Sequence, residues 1–215
     1  FFIPNGVDIN KFYPDNLLGN SIRIKYGLEG KKVVGFVGGI RKFHGLNILI
    51  DSVKAIAKEA PAVHFLIVGD GPPRASLEKQ TLDLGVNSLV TFTGSVPNQE
   101  VPAYINAMDI TVSPWLKREK FEYLAIKIYE YMAAGKPVVA SGESNMHQVI
   151  KNQKNGLIVE PENSNQLAHA ILKLLKDKNF RERLGAEGRR MGEEEYTWEG
   201  NAKKVIEIYN CLIVT

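Results

Sequence analysis

The sequence contains few residues that form cross-links or hold metals. Its 215 residues include one cysteine, Cys211, and four histidines. One cysteine cannot form an internal disulfide, which indicates a reducing compartment. Cys211 lies in an apolar run, so we expect it to be buried as a small hydrophobic residue. The histidines and the cysteine show no metal-ligand spacing, and we therefore expect neither a metal site nor a cofactor.

Long apolar runs and a large excess of charge are also missing. No run approaches the roughly 18 apolar residues that a membrane span requires. The formal net charge is only +3, so overall charge gives no reason to expect nucleic acid as a partner. We therefore expect a cytoplasmic protein, in which any membrane contact is peripheral and belongs to another part of the full-length protein.

Short apolar runs alternate with segments of helical period along the whole chain. Several runs are unbroken stretches of β-branched residues, which is typical of strands buried on both faces of a parallel sheet. The runs are 33–37, 63–68, 89–92, 110–112, 138–140 and 157–159. Apolar residues spaced by three and four predict helices between and after them. These helices are 46–57, 77–84, 101–108, 126–134, 163–175, 178–195 and 197–213. The alternation predicts an α/β fold with a doubly wound, Rossmann-like parallel sheet.

The organisation of the chain indicates one domain over 1–215, with the C-terminal helices of about 178–213 packed against it. No linker rich in Pro, Gly or Ser interrupts the sequence. The chain opens at Phe1, in a segment that resembles the end of a strand followed by a turn. We therefore expect it to be a fragment of a longer protein. In doubly wound sheets ligands bind outside the carboxyl ends of the strands, so the loops at these ends are the candidate sites.

The loop after the first strand, residues 38–45, combines two glycines with basic side chains. Gly38 and Gly39 allow a ligand to approach the backbone closely, and the free N–H groups of the helix that follows favour an anion. Positive charge is expected from Arg41, Lys42 and His44. The loop therefore predicts a pyrophosphate site, although a plain glycine turn with solvated basic residues explains the same pattern equally well.

The loop after the second strand begins Gly69-Asp70-Gly71 and invites comparison with the dinucleotide-binding motif. The third glycine of that motif is replaced by Arg74, and Pro72 and Pro73 have no backbone N–H to donate. We therefore predict a structural turn here and no NAD binding.

Two glutamates follow the fourth strand, Glu122 in a predicted loop and Glu130 in the next helix. An ionised carboxylate accepts two hydrogen bonds from vicinal hydroxyls, so two of them about two helical turns apart can hold two sugars of one ligand. Lys127 lies between them and can balance a phosphate. The alternative is that Lys127 and Glu130 form an ordinary surface pair across one helical turn.

The spacing Glu122-x7-Glu130 and the segment 131–141, YMAAGKPVVAS, resemble the donor domain of retaining GT-B glycosyltransferases, in particular glycosyltransferase family four. Further blocks fit in the expected order at 3–14, 67–72, 92–94, 104–114, 155–159 and 196–198. The resemblance implies the C-terminal, donor-binding half of a GT-B enzyme. Such an enzyme moves a hexose from a UDP- or GDP-linked sugar to a glycan, polysaccharide or glycolipid acceptor, with retention of configuration and without a metal. It also implies an acceptor-binding N-terminal domain outside this chain.

The resemblance also implies roles for the acidic motif. It assigns Glu122 to the transferred sugar and Glu130 to the ribose of the nucleotide. It brings the backbone N–H groups near Leu124 and Ala125 close to the sugar or the phosphate. The family often has Gly-Phe-Gly after the first glutamate, whereas this sequence has Tyr-Leu-Ala at 123–125.

For the phosphates, the resemblance implies that Gly38 and Gly39 lie against the pyrophosphate. Many members carry an arginine at the position of Gly39 and a lysine at that of His44, and this sequence has neither. Phosphate contacts are therefore expected from backbone amides and from some of the remaining basic residues, namely Arg41, Lys42, His44 and Lys127. The catalytic set implied by the resemblance is Glu122, Lys127 and Arg41, because basic side chains stabilise the departing nucleoside diphosphate.

Two other functions stay open at this stage. One is a nucleotide-binding module of the same shape without catalytic activity. The other is a sugar-nucleotide epimerase of similar architecture. Glu122, Glu130 and the closing helix that contains Trp198 favour the transferase.

Overall fold

Six parallel strands form one sheet in the part of the chain that the computed structural model describes, residues 3–117, 126–142 and 146–213. The strands are β1 Lys32–Val37, β2 Val63–Val68, β3 Val90–Phe92, β4 Ile110–Ser113, β5 Val138–Ser141 and β6 Gly156–Val159. All six apolar runs are strands, each within one residue of its predicted bounds. The predicted doubly wound parallel sheet is therefore confirmed.

Helices connect the strands and cover both faces of the sheet. The α-helices of the described residues are α1 Asn16–Lys25, α2 Leu46–Glu59, α3 Arg74–Asp83, α4 Val101–Asn106, α5 Ile126–Ala133, α6 Met146–Val149, α7 Ser164–Lys176, α8 Lys178–Glu195 and α9 Trp198–Ile213. The seven predicted helices are all present. The sequence analysis missed α6, which has a single turn, and α1, whose Leu17 and Ile24 are 82% and 65% exposed and therefore give no apolar stripe.

The strand order, β3-β2-β1-β4-β5-β6, creates one switch point between β1 and β4. The chain winds outward from β1 through β2 and β3, and then from β4 in the opposite direction. Connections on the two sides of a switch point leave the sheet on opposite faces, so a crevice opens at the carboxyl ends of β1 and β4. The loop after β1 and the helix after β4 therefore meet at this crevice.

The core lies in two layers, one on each face of the sheet. In β1, Val33 and Val37 belong to one layer, whereas Val34 and Phe36 belong to the other. Alternate residues of a strand point to opposite faces, so an unbroken apolar strand is buried on both. This explains why the strands could be recognised as continuous apolar runs.

Helix α8 fixes α5 and the beginning of the described chain. Its Arg189 donates from Nη1 to the carbonyl oxygens of Phe12, at 2.8 Å, and of Ala133, at 2.7 Å. These two bonds join the N-terminal turn, residues 8–12, to the end of α5. The side of α5 that carries Lys127 and Glu130 is thereby held in register with this turn.

Helix α9 differs from the expectation for the C-terminal run. Cys211 is exposed, so its predicted burial is wrong. The reason is that the surrounding apolar residues are exposed too: Val205, Ile206, Tyr209 and Leu212 are all more than half accessible. None of the helices in the described residues is long and apolar enough to cross a membrane.

Candidate functional site

A cavity of about 290 Å³ opens at the switch point, between the end of β1 and the first turn of α5. The structure brings together five of the residues that the sequence analysis singled out, and adds others. The lining residues are Val37, Gly38, Gly39, His44, Asn98, Val101, Ile126, Lys127 and Glu130. The loop after β1, the loop before α4 and α5 each contribute one wall.

A pair of hydrogen bonds holds α5 against the end of β1. The backbone N–H of Val37 donates to the hydroxyl of Tyr131 at 2.7 Å, and that hydroxyl donates to the Val37 carbonyl at 3.3 Å. Lys127 lies one helical turn before Tyr131 and therefore on the same face of α5. The register of the helix thus directs the lysine at the loop after β1.

The Lys127 side chain is buried, with 9% of its surface exposed. Its Nζ lies 3.9 Å from the centroid of the Phe36 ring. Within the described residues Nζ has no hydrogen-bond partner, and burial lowers its pKa from 10.5 to about 7. A surface pair with Glu130 is therefore the wrong interpretation. A buried amine without a partner costs free energy, so this arrangement favours a ligand that supplies negative charge.

Gly38 leaves the space that the lysine occupies. Its φ of 141° is a backbone conformation that side chains rarely adopt, and a Cβ built there would lie 2.9 Å from the Nζ of Lys127. The N–H of Gly38 donates to the carbonyl of Val68 at 2.9 Å, which fixes the turn against β2. A glycine is thus required here by both the turn and the amine.

Glu130 lies one turn beyond Lys127 and is half-buried at the same cavity. Burial raises the pKa of its carboxyl, whereas the positive charges of Lys11 and Lys127 act in the opposite direction. The cavity is therefore lined by both a carboxyl group and an amine.

His44 lines the cavity but does not supply the positive charge that we expected. It ends the one-turn 3-10 helix Lys42–His44 and is buried, and its Nδ1 is 2.8 Å from the carbonyl oxygen of Gly39. Burial, with Lys127 nearby, lowers its pKa to about 4. A carbonyl only accepts, so Nδ1 carries the proton and Nε2 is an acceptor. The imidazole is therefore neutral at pH 7, and the expected charge is wrong.

The structure separates Arg41 and Lys42 from this cavity. Both line a neighbouring cavity of about 510 Å³, whose other walls include Pro72, Leu77 and Leu116. The predicted positions Glu122, Leu124 and Ala125 lie outside the described residues. Of the catalytic set, the structure thus brings only Lys127 to the switch-point cavity among the residues that it describes.

The loop that begins at Gly69 packs against the loop after β1. Ile40 donates its N–H to the carbonyl of Asp70 at 2.8 Å, and Gly69 donates to that of Gly94 at 2.9 Å. A Cβ at Gly71 would lie 2.0 Å from the carbonyl oxygen of Ile40. The glycines therefore permit contact between two backbones, and the predicted structural turn is confirmed.

The sequence analysis missed Asn98 and Val101, which line the cavity, and Lys11, which contacts Asn98. Asn98 follows β3 at the carboxyl edge of the sheet, where ligands bind, so its position was a usable signal. No local signal identified Lys11, because its contact joins segments that are distant in the sequence. In the described ranges no group of three or more His, Cys, Asp or Glu residues could hold a metal ion.

The fold and this cavity define a Rossmann-like α/β protein with a charged crevice at its switch point. Residues 20–191 match the family model of the glycosyl transferases group 1. The chain therefore belongs to the glycosyl transferases group 1 family. Its fold is that of one half of GT-B glycosyltransferases, and it corresponds to the C-terminal half.

Individual relatives support the same classification. The chain is similar to the GDP-mannose-dependent alpha-(1-6)-phosphatidylinositol monomannoside mannosyltransferase of Mycobacterium tuberculosis, with 30% identity over 96% of this chain and 54% of that protein. It is similar to the C-terminal domain of a group 1 family glycosyl transferase from Francisella tularensis, with 26% identity and a TM-score of 0.79. The match covers 90% of this chain and 100% of that one. It also resembles Anabaena HepE in complex with UDP-glucose, with 25% identity and a TM-score of 0.86. That match covers 97% of this chain and 57% of HepE. The chain spans about half the length of the curated relatives that it matches.

Proposed function

We propose that this chain is the donor-binding domain of a retaining glycosyltransferase that moves a hexose from a UDP- or GDP-linked sugar to a glycan, polysaccharide or glycolipid. The observation that carries the proposal is the buried amine of Lys127, which has no hydrogen-bond partner within the described residues and shares one cavity with Gly38 and Glu130. Mannosyltransferase and kanosaminyltransferase relatives, and a structural neighbour with bound UDP-glucose, support the same activity.

The chemistry follows from the charges of the cavity. A diphosphate that enters beside Gly38 brings negative charge to Lys127, whose pKa of about 7 in the ligand-free chain then rises. The protonated amine stabilises the charge that develops on the leaving nucleoside diphosphate. The Glu130 carboxylate accepts hydrogen bonds from the hydroxyls of the ribose. Gly38 lets the diphosphate approach the backbone, and the N–H of Gly39 adds a phosphate contact, because the Gly38 N–H already donates to the Val68 carbonyl.

Several parts of the proposal concern the whole protein. The remaining role, contact with the transferred sugar, belongs to Glu122, with Leu124 and Ala125 supplying backbone N–H groups. Arg41 and Lys42 act from the neighbouring cavity that they line. The acceptor is bound by an N-terminal domain, which also makes any peripheral membrane contact of this cytoplasmic enzyme. Catalysis uses no metal, so nucleotide binding is expected to be unchanged after treatment with EDTA.

Ligand-dependent thermal stability tests the proposal. A ligand that binds only the native state raises the melting temperature, so we expect UDP or GDP to stabilise this chain and NAD to leave it unchanged. Stabilisation by NAD alone would contradict the transferase. The chain alone should bind donor and transfer nothing, because the missing half holds the acceptor and closes the cleft against water. Activity of the full-length protein with an acceptor then separates a transferase from a passive binding module.

Glu130→Ala is expected to weaken binding of UDP or GDP roughly tenfold or more, because a hydrogen bond to a charged group is lost. Inorganic pyrophosphate has no ribose, so its affinity should stay the same. Isothermal titration calorimetry with each ligand measures the dissociation constants for the nucleotide and for pyrophosphate. The matched control is Glu78→Ala, which removes a carboxylate from α3, away from the lining of this cavity. Equal losses for nucleotide and pyrophosphate would contradict the assignment of Glu130 to the ribose.

A further inference from the structure

The N-terminal turn, residues 8–12, holds the backbone of Lys11 in a defined position. The Asp8 carboxylate accepts hydrogen bonds from the N–H groups of Asn10, at 2.9 Å, and Lys11, at 3.1 Å. The Phe12 side chain is buried, and its carbonyl accepts the bond from Arg189 at 2.8 Å. Lys11 therefore projects from a turn that is tied to α8 and to the end of α5.

The Lys11 side chain reaches the wall of the switch-point cavity. Its Nζ donates a hydrogen bond to Oδ1 of Asn98 and lies 5.3 Å from the centroid of the Phe12 ring. An ammonium group only donates, so the Asn98 amide must turn its oxygen to Lys11. Its Nδ2 donors are then left for another acceptor. Asn98 and Glu130 line the same cavity, and the charge of Lys11 lowers the pKa of Glu130.

We propose that Lys11 is a positioning residue of the nucleotide site, which holds the Asn98 amide at the cavity wall and keeps a positive charge beside Glu130, so that this carboxylate stays available to the ribose hydroxyls. The proposal rests on the proposed function, because it takes Glu130 as the ribose ligand. Lys11 itself does not line the cavity. It acts through two residues from different walls, one before α4 and one on α5.

The charge balance around Glu130 gives this role a measurable pH dependence. Among the described residues, the charged groups that act on Glu130 are Lys11 and Lys127, and the Tyr131 hydroxyl also interacts with it. Burial raises the pKa of the carboxyl, and the two lysines oppose the rise. Nucleotide binding that needs the carboxylate is lost as the pH falls through this pKa. Without Lys11 the pKa rises further, so the loss begins at a higher pH.

The experiment compares UDP or GDP, whichever stabilises the wild-type chain, with its 2′,3′-dideoxy analogue. Lys11→Met is expected to weaken binding of the nucleotide roughly tenfold and that of the dideoxy analogue less than about threefold. Lys11→Arg keeps the charge and should retain most of the affinity. The matched control is Lys25→Met, since Lys25 also donates to one side chain, the hydroxyl of Tyr104, but lies outside the cavity.

The pH midpoint for nucleotide binding should be higher in Lys11→Met than in the wild type, a change that a purely structural defect would not produce. Asn98→Ala removes the same Lys11–Asn98 hydrogen bond from the other partner, and it should again weaken binding of the nucleotide more than binding of the dideoxy analogue. If one of the two variants fails to fold, the other still tests the proposal. Equal losses for nucleotide and dideoxy analogue, or no loss in either variant, would overturn the proposal. The wild-type titration separately decides whether nucleoside diphosphates bind at all.

Discussion

Lys127→Met should weaken binding of UDP or GDP roughly 100-fold or more, the loss that follows when one partner of a buried charge pair is removed. The same change should raise the stability of the ligand-free chain. Methionine fills a similar volume beside Phe36, and it removes a buried amine that has no hydrogen-bond partner in the described residues. Replacing even a buried ion pair by well-packed apolar side chains is often neutral or stabilising, by up to about 1–4 kcal/mol, so we expect a gain within that range here.

The pH dependence of stability tests the predicted gain from Lys127→Met. Burial lowers the pKa of Lys127 from 10.5 to about 7. The unfolded chain therefore binds this proton between pH 7 and 10.5, whereas the folded chain does not, and the contribution of Lys127 to stability rises with pH across that window. Below pH 7 the destabilising contribution is present in full. Urea denaturation should accordingly show a larger gain for Lys127→Met at pH 6 than at pH 9.

Lys136→Met is the matched control, because it replaces a second lysine, which is half-buried and lies at the amino end of β5. Burial also lowers the pKa of Lys136, to about 8, but its Nζ donates to the carbonyl of Asn106 at 2.9 Å. Its loss leaves that carbonyl without the bond, so we expect lower stability and unchanged nucleotide affinity. Wild-type affinity in Lys127→Met, or a loss of stability at pH 6, would contradict the role assigned to this amine.

The arrangement of the sheet could be predicted from the sequence, because its strands are short apolar runs that are buried on both faces. The burial of Lys127 could not. In the sequence Lys127 and Glu130 are spaced like an exposed pair on a helix. The lysine is buried because Tyr131 binds the end of β1 and because Gly38 and Phe36 lie over it, and these contacts join distant parts of the chain.

The basic residues after β1 show a second limit of sequence reasoning. Arg41, Lys42 and His44 are close in the sequence, and we expected all of them at one site. A 3-10 helix has three residues per turn, so residues two apart within it point in different directions. Lys42 therefore lines the neighbouring cavity, while His44 lies at the switch-point cavity among Phe36 and Trp115, where burial keeps it neutral.

A close backbone contact between the loops after β1 and β2 leads to the second large effect, the loss of stability in Gly69→Ala. A Cβ at Gly69 would lie 2.1 Å from the carbonyl oxygen of Gly38, and the φ of 131° is unfavourable for any side chain. Both loops must separate to relieve the contact. We expect a destabilisation of about 3 kcal/mol or more. Moving Gly38 also displaces the turn that faces Lys127, so nucleotide affinity should fall even where the variant remains folded.

Gly85→Ala distinguishes backbone strain from the contact between the loops. Gly85 has a φ of 68°, and a Cβ there would meet nothing within 4 Å. The cost should therefore be about 1–2 kcal/mol, that of the left-handed conformation alone, with unchanged affinity for UDP or GDP. Urea denaturation and titration of the two alanine variants measure both effects. Similar results for Gly69→Ala and Gly85→Ala would mean that the contact between the loops is not essential, and that the turn at Gly38 keeps its shape without the loop that follows β2.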